Sequence, residues 1–418
     1  MYNNTYDKNG FWKKILIVVM DGLGDRAVKE LDYKTPLQYA NTPNLDWFAK
    51  NGSAGIMDTI GPGIRPGSDT SHLAILGYDP FEVYTGRGPF EAAGVGLVGQ
   101  SGDVAFRCNF ATVDSSMNVT DRRAGRIKEP DTTELVKALK GLKIGDVECI
   151  VKEATEHRAV LLLRGECLSP YVTDADPHDL AKVGISRAMQ EGAEKTARVV
   201  NEFVKKSYEI LNNHPVNIKR KMEGKLPANI LLPRGAGMFP DIEPFEKKYD
   251  MTGSCVAGVS LIRGIGRICG LEIIEPSLCT GGLSTNMEAK AKAALAELEK
   301  KDFVLMNVKA SDISSHDGDA MKKVEVIERL DKMVGYIKEN LPADAIVVFT
   351  ADHCTPVERL DHSGDPVPLC IYSENSLKDD ATEFNEVSCT RGCLGRVLGK
   401  NLMSILIDKA DRSEKFGA

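Results

Sequence analysis

The sequence predicts an α/β fold, a mainly parallel sheet flanked by helices and interrupted by an inserted α+β domain. Three observations carry that expectation. Ile15-Leu16-Ile17-Val18-Val19-Met20 is an unbroken apolar run that ends in Asp21-Gly22-Leu23-Gly24; such a run marks a strand buried on both faces, here with a carboxylate at its carboxyl end. Strand and helix patterns alternate again from about residue 281 onward, and that alternation builds parallel sheets. The stretch between has a different texture, with Gly and Arg crowded into Y-T-G-R-G-P-F-E-A-A-G-V-G and alternating strand-like segments after it. Residues 1–80 and 281–418 are therefore expected to form one discontinuous core domain and residues 81–280 the insert. A chain of 418 residues is long enough for two hydrophobic cores.

After the first strand, residues 42–51 read as a short helix, with Thr42 as its cap, Pro43 at its first position and Gly52 just past its end. Gly61, Pro62, Gly63, Pro66 and Gly67 then make a turn-rich loop, and Leu73, Ile75 and Leu76 open a buried helix. Ser68 stands at that junction. A serine there is either a helix cap or a nucleophile, and on its own the cap is the commoner role. In the insert, strands are expected at 104–113, 149–152, 159–163, 229–232 and 272–274. A helix over 185–211 places Ile185, Ala188, Met189, Ala193, Ala197, Val200, Phe203, Val204 and Leu211 on one stripe. Beyond it come a helix at 287–298, a strand at 303–307, and a long helix at 320–341 with Met321, Val324, Ile327, Leu330, Val334, Ile337 and Leu341 facing inward. Strands at 345–350 and 368–372 follow.

Composition narrows the function classes. Lys and Arg total 53 against 60 Asp and Glu, a formal charge of −7, which argues against a general nucleic-acid binder. Any anion site must come from a local cluster of basic groups. Ten cysteines are scattered without a C-x-x-C pair or a secretory signal, so reduced thiols and a cytoplasmic location are expected. The apolar run at 15–20 is too short to span a bilayer, and no membrane association is expected. Composition does not fix the oligomeric state.

The chemistry lies at strand ends. Only seven histidines are present, and His316, His353 and His362 fall in one C-terminal window, each with a carboxylate close in sequence: Asp312, Asp352 and Asp361. Asp312 follows the 303–307 strand, and Asp352-His353 follows the 345–350 strand directly. Both groups therefore leave carboxyl strand ends, as Asp21 does, and ligands bind along that edge of open α/β sheets. Mixed carboxylate and imidazole donors suit Mn²⁺ or Zn²⁺, with Mg²⁺ also compatible. Asp121-Arg122-Arg123-Ala124-Gly125-Arg126 puts three guanidinium groups into six residues of an acidic protein, and Arg binds carboxylate and phosphate in bidentate fashion.

The motifs V-V-M-D-G-L-G-D, G-S-D-T-S-H-L-A-I-L-G-Y-D-P, D-R-R-A-G-R, K-A-S-D-I-S-S-H-D-G-D, T-A-D-H-C-T-P and H-S-G-D-P-V-P together resemble the archaeal-type cofactor-independent phosphoglycerate mutases of the alkaline phosphatase superfamily. The resemblance spans nearly the whole chain. It implies an alkaline-phosphatase-like core, Ser68 as nucleophile, and two divalent metal ions, most often Mn²⁺, with Mg²⁺, Zn²⁺ or Co²⁺ as alternatives. One ion would be held by Asp21, Ser68, Asp352 and His353, the other by Asp312, His316 and His362. The implied reaction interconverts 3-phosphoglycerate and 2-phosphoglycerate through a phosphoserine, without 2,3-bisphosphoglycerate. In the insert the resemblance points to Arg122, Arg126, Asp176 and His178 as substrate ligands, with Arg158 and Arg263 as further basic candidates. Two rival readings are another phosphomutase or phosphatase on the same core, and a catalytically silent metal-binding regulator.

Overall fold

The computed structural model describes residues 12–417. They divide into two compact units: the residues through Glu82 together with those from Glu243 onward, and Val83–Ile242.

The first unit is built on an eight-stranded sheet in the order Glu272–Ile274, Gly253–Val256, Phe303–Val308, Lys14–Met20, Ala345–Thr350, Val367–Tyr372, Ser53–Asp58, Gly395–Leu398. Val367–Tyr372 runs antiparallel to both of its neighbours, and the other pairings are parallel. The sheet is thus mainly parallel, as the strand–helix alternation predicts. Lys14–Met20 is its centre: Ile17 stands in register with Leu305 on one side and Val348 on the other. All three of these residues are fully buried, which is why their strands read as continuous apolar runs. Asp21, Asp352 and the helix Ala310–His316 all follow the carboxyl ends of these three adjacent strands.

The chain returns to this unit at Glu243, well before residue 281. Gly253–Val256 and Glu272–Ile274 extend the sheet beyond Phe303–Val308, each pairing in parallel with its neighbour. The helix between them, Ser260–Ile268, carries Gly264 and Gly266, a composition that hides a βαβ crossover from a periodicity reading. In Ala320–Asn340, Val324, Ile327, Leu330, Val334 and Ile337 face inward as expected. Met321 does not: it is 49% exposed, and Lys323 takes the buried place in that first turn.

The second unit is an antiparallel sheet in the order Val119–Asp121, Val104–Val113, Arg158–Arg164, Val147–Glu153, Lys143–Ile144, with Ile230–Met238 also paired to Val104–Val113. The helix Glu194–Leu211 joins its core through Val200, Phe203, Val204 and Leu211, in one cluster with Phe106, Phe110 and Leu161. This helix starts nine residues later than its apolar stripe suggests. Residues 185–189 are extended and pair with 171–173, through Thr173 N–H to Arg187 O and Met189 N–H to Tyr171 O. Ile185 and Met189 are consequently exposed. Among the described residues no helix is long and apolar enough to cross a membrane.

Candidate active site

Ser68 is the first residue of the helix Ser68–Ile75, and Gly67, not Ser68, is its cap. The serine hydroxyl is therefore not consumed by capping. Ser68 Oγ lies 3.1 Å from His353 Nε2 in surroundings that leave it only 7% exposed. One turn later the buried His72 donates from Nδ1 to Ser68 O over 2.7 Å, and its Nε2 sits 3.3 Å from Asn307 Nδ2. His72 thus braces the backbone of the nucleophile candidate.

Two groups of side chains converge beside Ser68: Asp21 with Asp352 and His353, and Asp312 with His353 and His362. Their carboxylates are held mostly from neighbouring segments. Asp21 Oδ2 accepts Asn307 Nδ2 at 3.1 Å. Asp352 Oδ1 accepts the N–H groups of Gly22 and His353, both at 3.0 Å. Asp312 Oδ1 accepts Thr355 Oγ1 at 2.9 Å. The ammonium of Lys309 lies between the two groups, 2.9 Å from Asp21 Oδ1 and 2.6 Å from Asp312 Oδ2.

The tautomers of the three histidines follow from their partners. His316 Nδ1 faces Leu360 O at 2.8 Å, and His362 Nδ1 faces Pro66 O at 2.8 Å; a carbonyl only accepts, so both Nδ1 atoms carry the proton. The one Thr355 hydroxyl proton goes to Asp312, so His353 Nδ1 must donate to Thr355 Oγ1, 3.0 Å away. In the neutral form of each ring the Nε2 lone pair points to the carboxylates' side: His316 Nε2 and His362 Nε2 lie 3.4 and 3.6 Å from Asp312 Oδ1, and His353 Nε2 lies 3.2 Å from Asp352 Oδ2. Imidazoles that bind a cation are arranged this way, with the second ring nitrogen tied to an oxygen. Asp352 Oδ2 supplies a second sign of fit, being buried without any hydrogen-bond partner. A divalent cation would satisfy that orphaned oxygen and take the Nε2 lone pairs together.

The electrostatics agree. Burial and the neighbouring Asp352 raise the Asp21 pKa against the pull of Lys309. Burial also acts to raise Asp312 and Asp352, but there His316, His353 and Lys309 outweigh it and hold both below the usual carboxylate range. The Asp312 hydrogen bond pushes His316 up to about 9, whereas burial and the charge of His353 lower His362. Carboxylates crowded this closely need cationic partners.

In the second unit a separate cluster forms around the buried Asp176. Its carboxylate takes Arg122 Nη2 at 3.1 Å on each oxygen, Asn109 Nδ2 at 3.1 Å and the His178 N–H at 3.0 Å. His178 Nε2 is 2.8 Å from Asp174 Oδ2, and Arg234 Nη1 is 3.4 Å from His178 Nδ1. Arg107 Nε and Arg234 Nε are buried without a hydrogen-bond partner. Burial lowers Arg107 to about 10, and Arg234, Arg158 and Arg87 push the same way against Glu91. Both groups thus lie near other guanidinium groups with a buried Nε that makes no hydrogen bond, although Arg234 Nε is 3.7 Å from Asp176 Oδ2.

Arg122, Asp176 and His178 are thus brought together as the sequence suggests. Arg158 is exposed at the rim of the cluster, and Arg126 is exposed on the turn after Arg122. Arg263 belongs to the first unit, where Glu275 takes its guanidinium. Lys309, Asn307, Thr355, Arg107 and Arg234 are functional candidates that sequence reasoning missed. Lys309 had a signal, since it lies three residues before Asp312. Arg107 and Arg234 had none, because only strand pairing brings them to Asp176.

A serine hydroxyl set against two carboxylate–imidazole groups at the carboxyl edge of a parallel sheet, with arginines gathered in a second unit, defines a class suited to group transfer on an anionic substrate. Residues 49–217 match the family described as 2,3-bisphosphoglycerate-independent phosphoglycerate mutase. A relative bearing that name from Methanopyrus kandleri is 51% identical over 98% of this chain and 99% of its own length. One from Methanocaldococcus jannaschii is 50% identical over 97% and 99%. Among solved structures, a Pyrococcus horikoshii protein aligns with TM-score 0.86 and 39% identity over 98% of this chain and 100% of that one. The cofactor-independent phosphoglycerate mutase of Thermoplasma acidophilum aligns with TM-score 0.73 and 37% identity over 95% and 100%. The chain belongs to the 2,3-bisphosphoglycerate-independent phosphoglycerate mutase family.

Proposed function

We propose that the chain interconverts 3-phosphoglycerate and 2-phosphoglycerate without bisphosphoglycerate, by way of a phosphate held on Ser68. Ser68 gives up its hydroxyl proton as Oγ forms a bond to phosphorus, the bond from phosphorus to the substrate's C3 oxygen breaks, and that oxygen takes up a proton to leave glycerate. The C2 hydroxyl of re-oriented glycerate then loses its proton, attacks the phosphoserine, and releases Ser68. Two divalent cations, Mn²⁺ in our assignment, would be held by Asp21, Ser68, Asp352 and His353 and by Asp312, His316 and His362, and would favour serine ionisation and offset phosphate charge. Backbone N–H groups at the start of Ser68–Ile75 add donors for phosphate oxygens.

The insert is the substrate-holding domain in this reading. Arg122, Arg126 and Arg158, joined by Arg107 and Arg234, bind the anionic groups. Asp176 orients Arg122, since all its hydrogen bonds are already committed. His178, paired with Asp174, is the proton carrier. Arg263 pairs with Glu275 and is not a substrate ligand in this reading. Ten free cysteines support a reducing, cytoplasmic setting.

The observation that carries the reading is the commitment of all three Nδ1 atoms to oxygen partners, which leaves Nε2 lone pairs and an orphaned Asp352 oxygen around Ser68. The test is to supply 3-phosphoglycerate and Mn²⁺ without bisphosphoglycerate, follow 2-phosphoglycerate and inorganic phosphate, and map phosphate after acid quench. Formation of 2-phosphoglycerate with phosphate trapped on Ser68 is expected. Inorganic phosphate as the sole product, or phosphate trapped on a histidine, overturns it.

A further inference from the structure

Lys323 is fully buried in the first turn of Ala320–Asn340, a place where an apolar side chain would pack as well. A buried ammonium is costly unless each of its protons is satisfied. Here three acceptors are present: Gly24 O at 3.1 Å, Thr355 O at 3.1 Å and Asp25 Oδ2 at 2.9 Å. The Asp25 carboxylate also accepts Arg26 N–H at 2.8 Å and Val357 N–H at 3.2 Å. Its own backbone N–H goes to Glu386 Oε1 at 3.0 Å, and Thr35 Oγ1 donates to Glu386 Oε2 at 2.7 Å.

The two turns that Lys323 joins are those that carry Asp21 and Asp352-His353. They already touch, through Thr355 N–H to Gly24 O at 3.0 Å and a bridge between Leu23 and Cys354. A Cβ on Gly24 would stand 2.2 Å from Cys354 Sγ, so the turns pack too closely to slide. Thr355 faces both ways. Its carbonyl accepts from Lys323, while its hydroxyl donates to Asp312 and receives His353 Nδ1. A displacement at Lys323 therefore reaches both carboxylate–imidazole groups through one residue.

We propose that Lys323, neutralised by Asp25, is a positioning residue that clamps the Asp21 turn to the Asp352–Thr355 turn and so sets the geometry of the cation site. The proposal rests on the reading of that site given above. Its test is calorimetric titration of metal-free full-length protein with Mn²⁺, alongside thermal melting, for the wild type, Lys323→Met, Asp25→Asn, the double variant, and Lys322→Met as a half-buried control on the same turn, paired only with Glu325.

Lys323→Met and Asp25→Asn are each expected to weaken Mn²⁺ binding about tenfold or more, the effect typical of losing groups behind metal ligands. The double variant, with neither charge left buried, is expected to regain melting temperature over Lys323→Met but not affinity. Lys322→Met should match the wild type. Wild-type affinity in folded Lys323→Met, Asp25→Asn or the double variant overturns the clamp, as does affinity that simply tracks melting temperature across the set. Asp25→Asn keeps the side-chain size and both carbonyl acceptors of Lys323, so it decides the matter if Lys323→Met does not fold. A wild type that binds no Mn²⁺ sinks the site reading itself, and the clamp with it.

Discussion

Gly22→Ala tests how tightly the Asp21 turn is built against the Asp312 helix. Gly22 has φ +65°, and a Cβ added there would lie 2.7 Å from both Cα and Cβ of Asp312 and 2.8 Å from its Oδ1. Two costs arise. An alanine in the left-handed region costs about 1–2 kcal/mol, and overpacking against atoms that cannot rotate away adds roughly 1–3 kcal/mol. Gly395 separates them, because it has φ +64° in the same unit with nothing within 4 Å of its built Cβ. Gly395→Ala carries the first cost alone.

At about 2–4 °C per kcal/mol for a unit of this size, metal-free Gly22→Ala should melt about 2–12 °C below Gly395→Ala. The clash also moves a candidate ligand, so Gly22→Ala should lose Mn²⁺ affinity in a calorimetric titration while Gly395→Ala retains it. Equal melting temperatures and equal affinities in the two variants would refute the reasoning: the Asp312 backbone would then be free to yield, and the site would not depend on that contact.

Two further outcomes are expected. Arg122→Ala strips the buried Asp176 of its bidentate partner; since the Arg122 side chain is 30% exposed, the cost should be about 2–3 kcal/mol, below the fully buried range. KM for phosphoglycerate should rise and more turnovers should end in inorganic phosphate, so an unchanged KM and product ratio would count against Arg122 as a substrate ligand. His157 concerns pH: burial, then Arg158, lowers it from 6.5 to about 4, so the unfolded chain binds its proton first. The stability it contributes is present above about pH 6.5 and is lost as pH falls toward 4, by about 2 kcal/mol after allowance for solvent at the ring edge. The wild type's advantage over His157→Gln in urea midpoint should shrink from pH 7 to pH 4.5, and a constant gap would refute the assignment.

What was legible in the sequence is what local chemistry determines. Ile15 to Met20 and Ala345 to Phe349 are apolar throughout because both faces of their strands are covered, and a carboxylate at the end of such a strand can only lie at the sheet edge. Asp21 and Asp352 were readable for that reason. The failures share a cause too. Ile185 and Met189 continue the stripe of Glu194–Leu211, yet hydrogen bonds to 171–173 claim their backbone, and no window of periodicity contains that partner. Met321 fits the apolar phase, yet Lys323 takes the inward place through acceptors on turns distant in sequence. Arg107 and Arg234 meet only because Val104–Val113 pairs with Ile230–Met238.

The loop before Ser68 does more than deliver a nucleophile. Pro66 O fixes the tautomer of His362, Arg65 Nε donates to His362 O at 2.9 Å, and Arg65 also pairs with Asp361. Two residues further on, Ser68 Oγ meets His353, whose ring stacks on that of His362 with centroids 3.5 Å apart. The nucleophile candidate and one histidine from each carboxylate group therefore share a short stretch of backbone, and that loop cannot shift without turning an imidazole lone pair away from Asp312. The Gly and Pro residues at 61–67 serve this end: they give the chain the turns to approach the 361–362 backbone before the helix begins at Ser68. Ordering the nucleophile and ordering the cation ligands are then one structural event, so damage to the loop should be felt in cation affinity as well as in turnover.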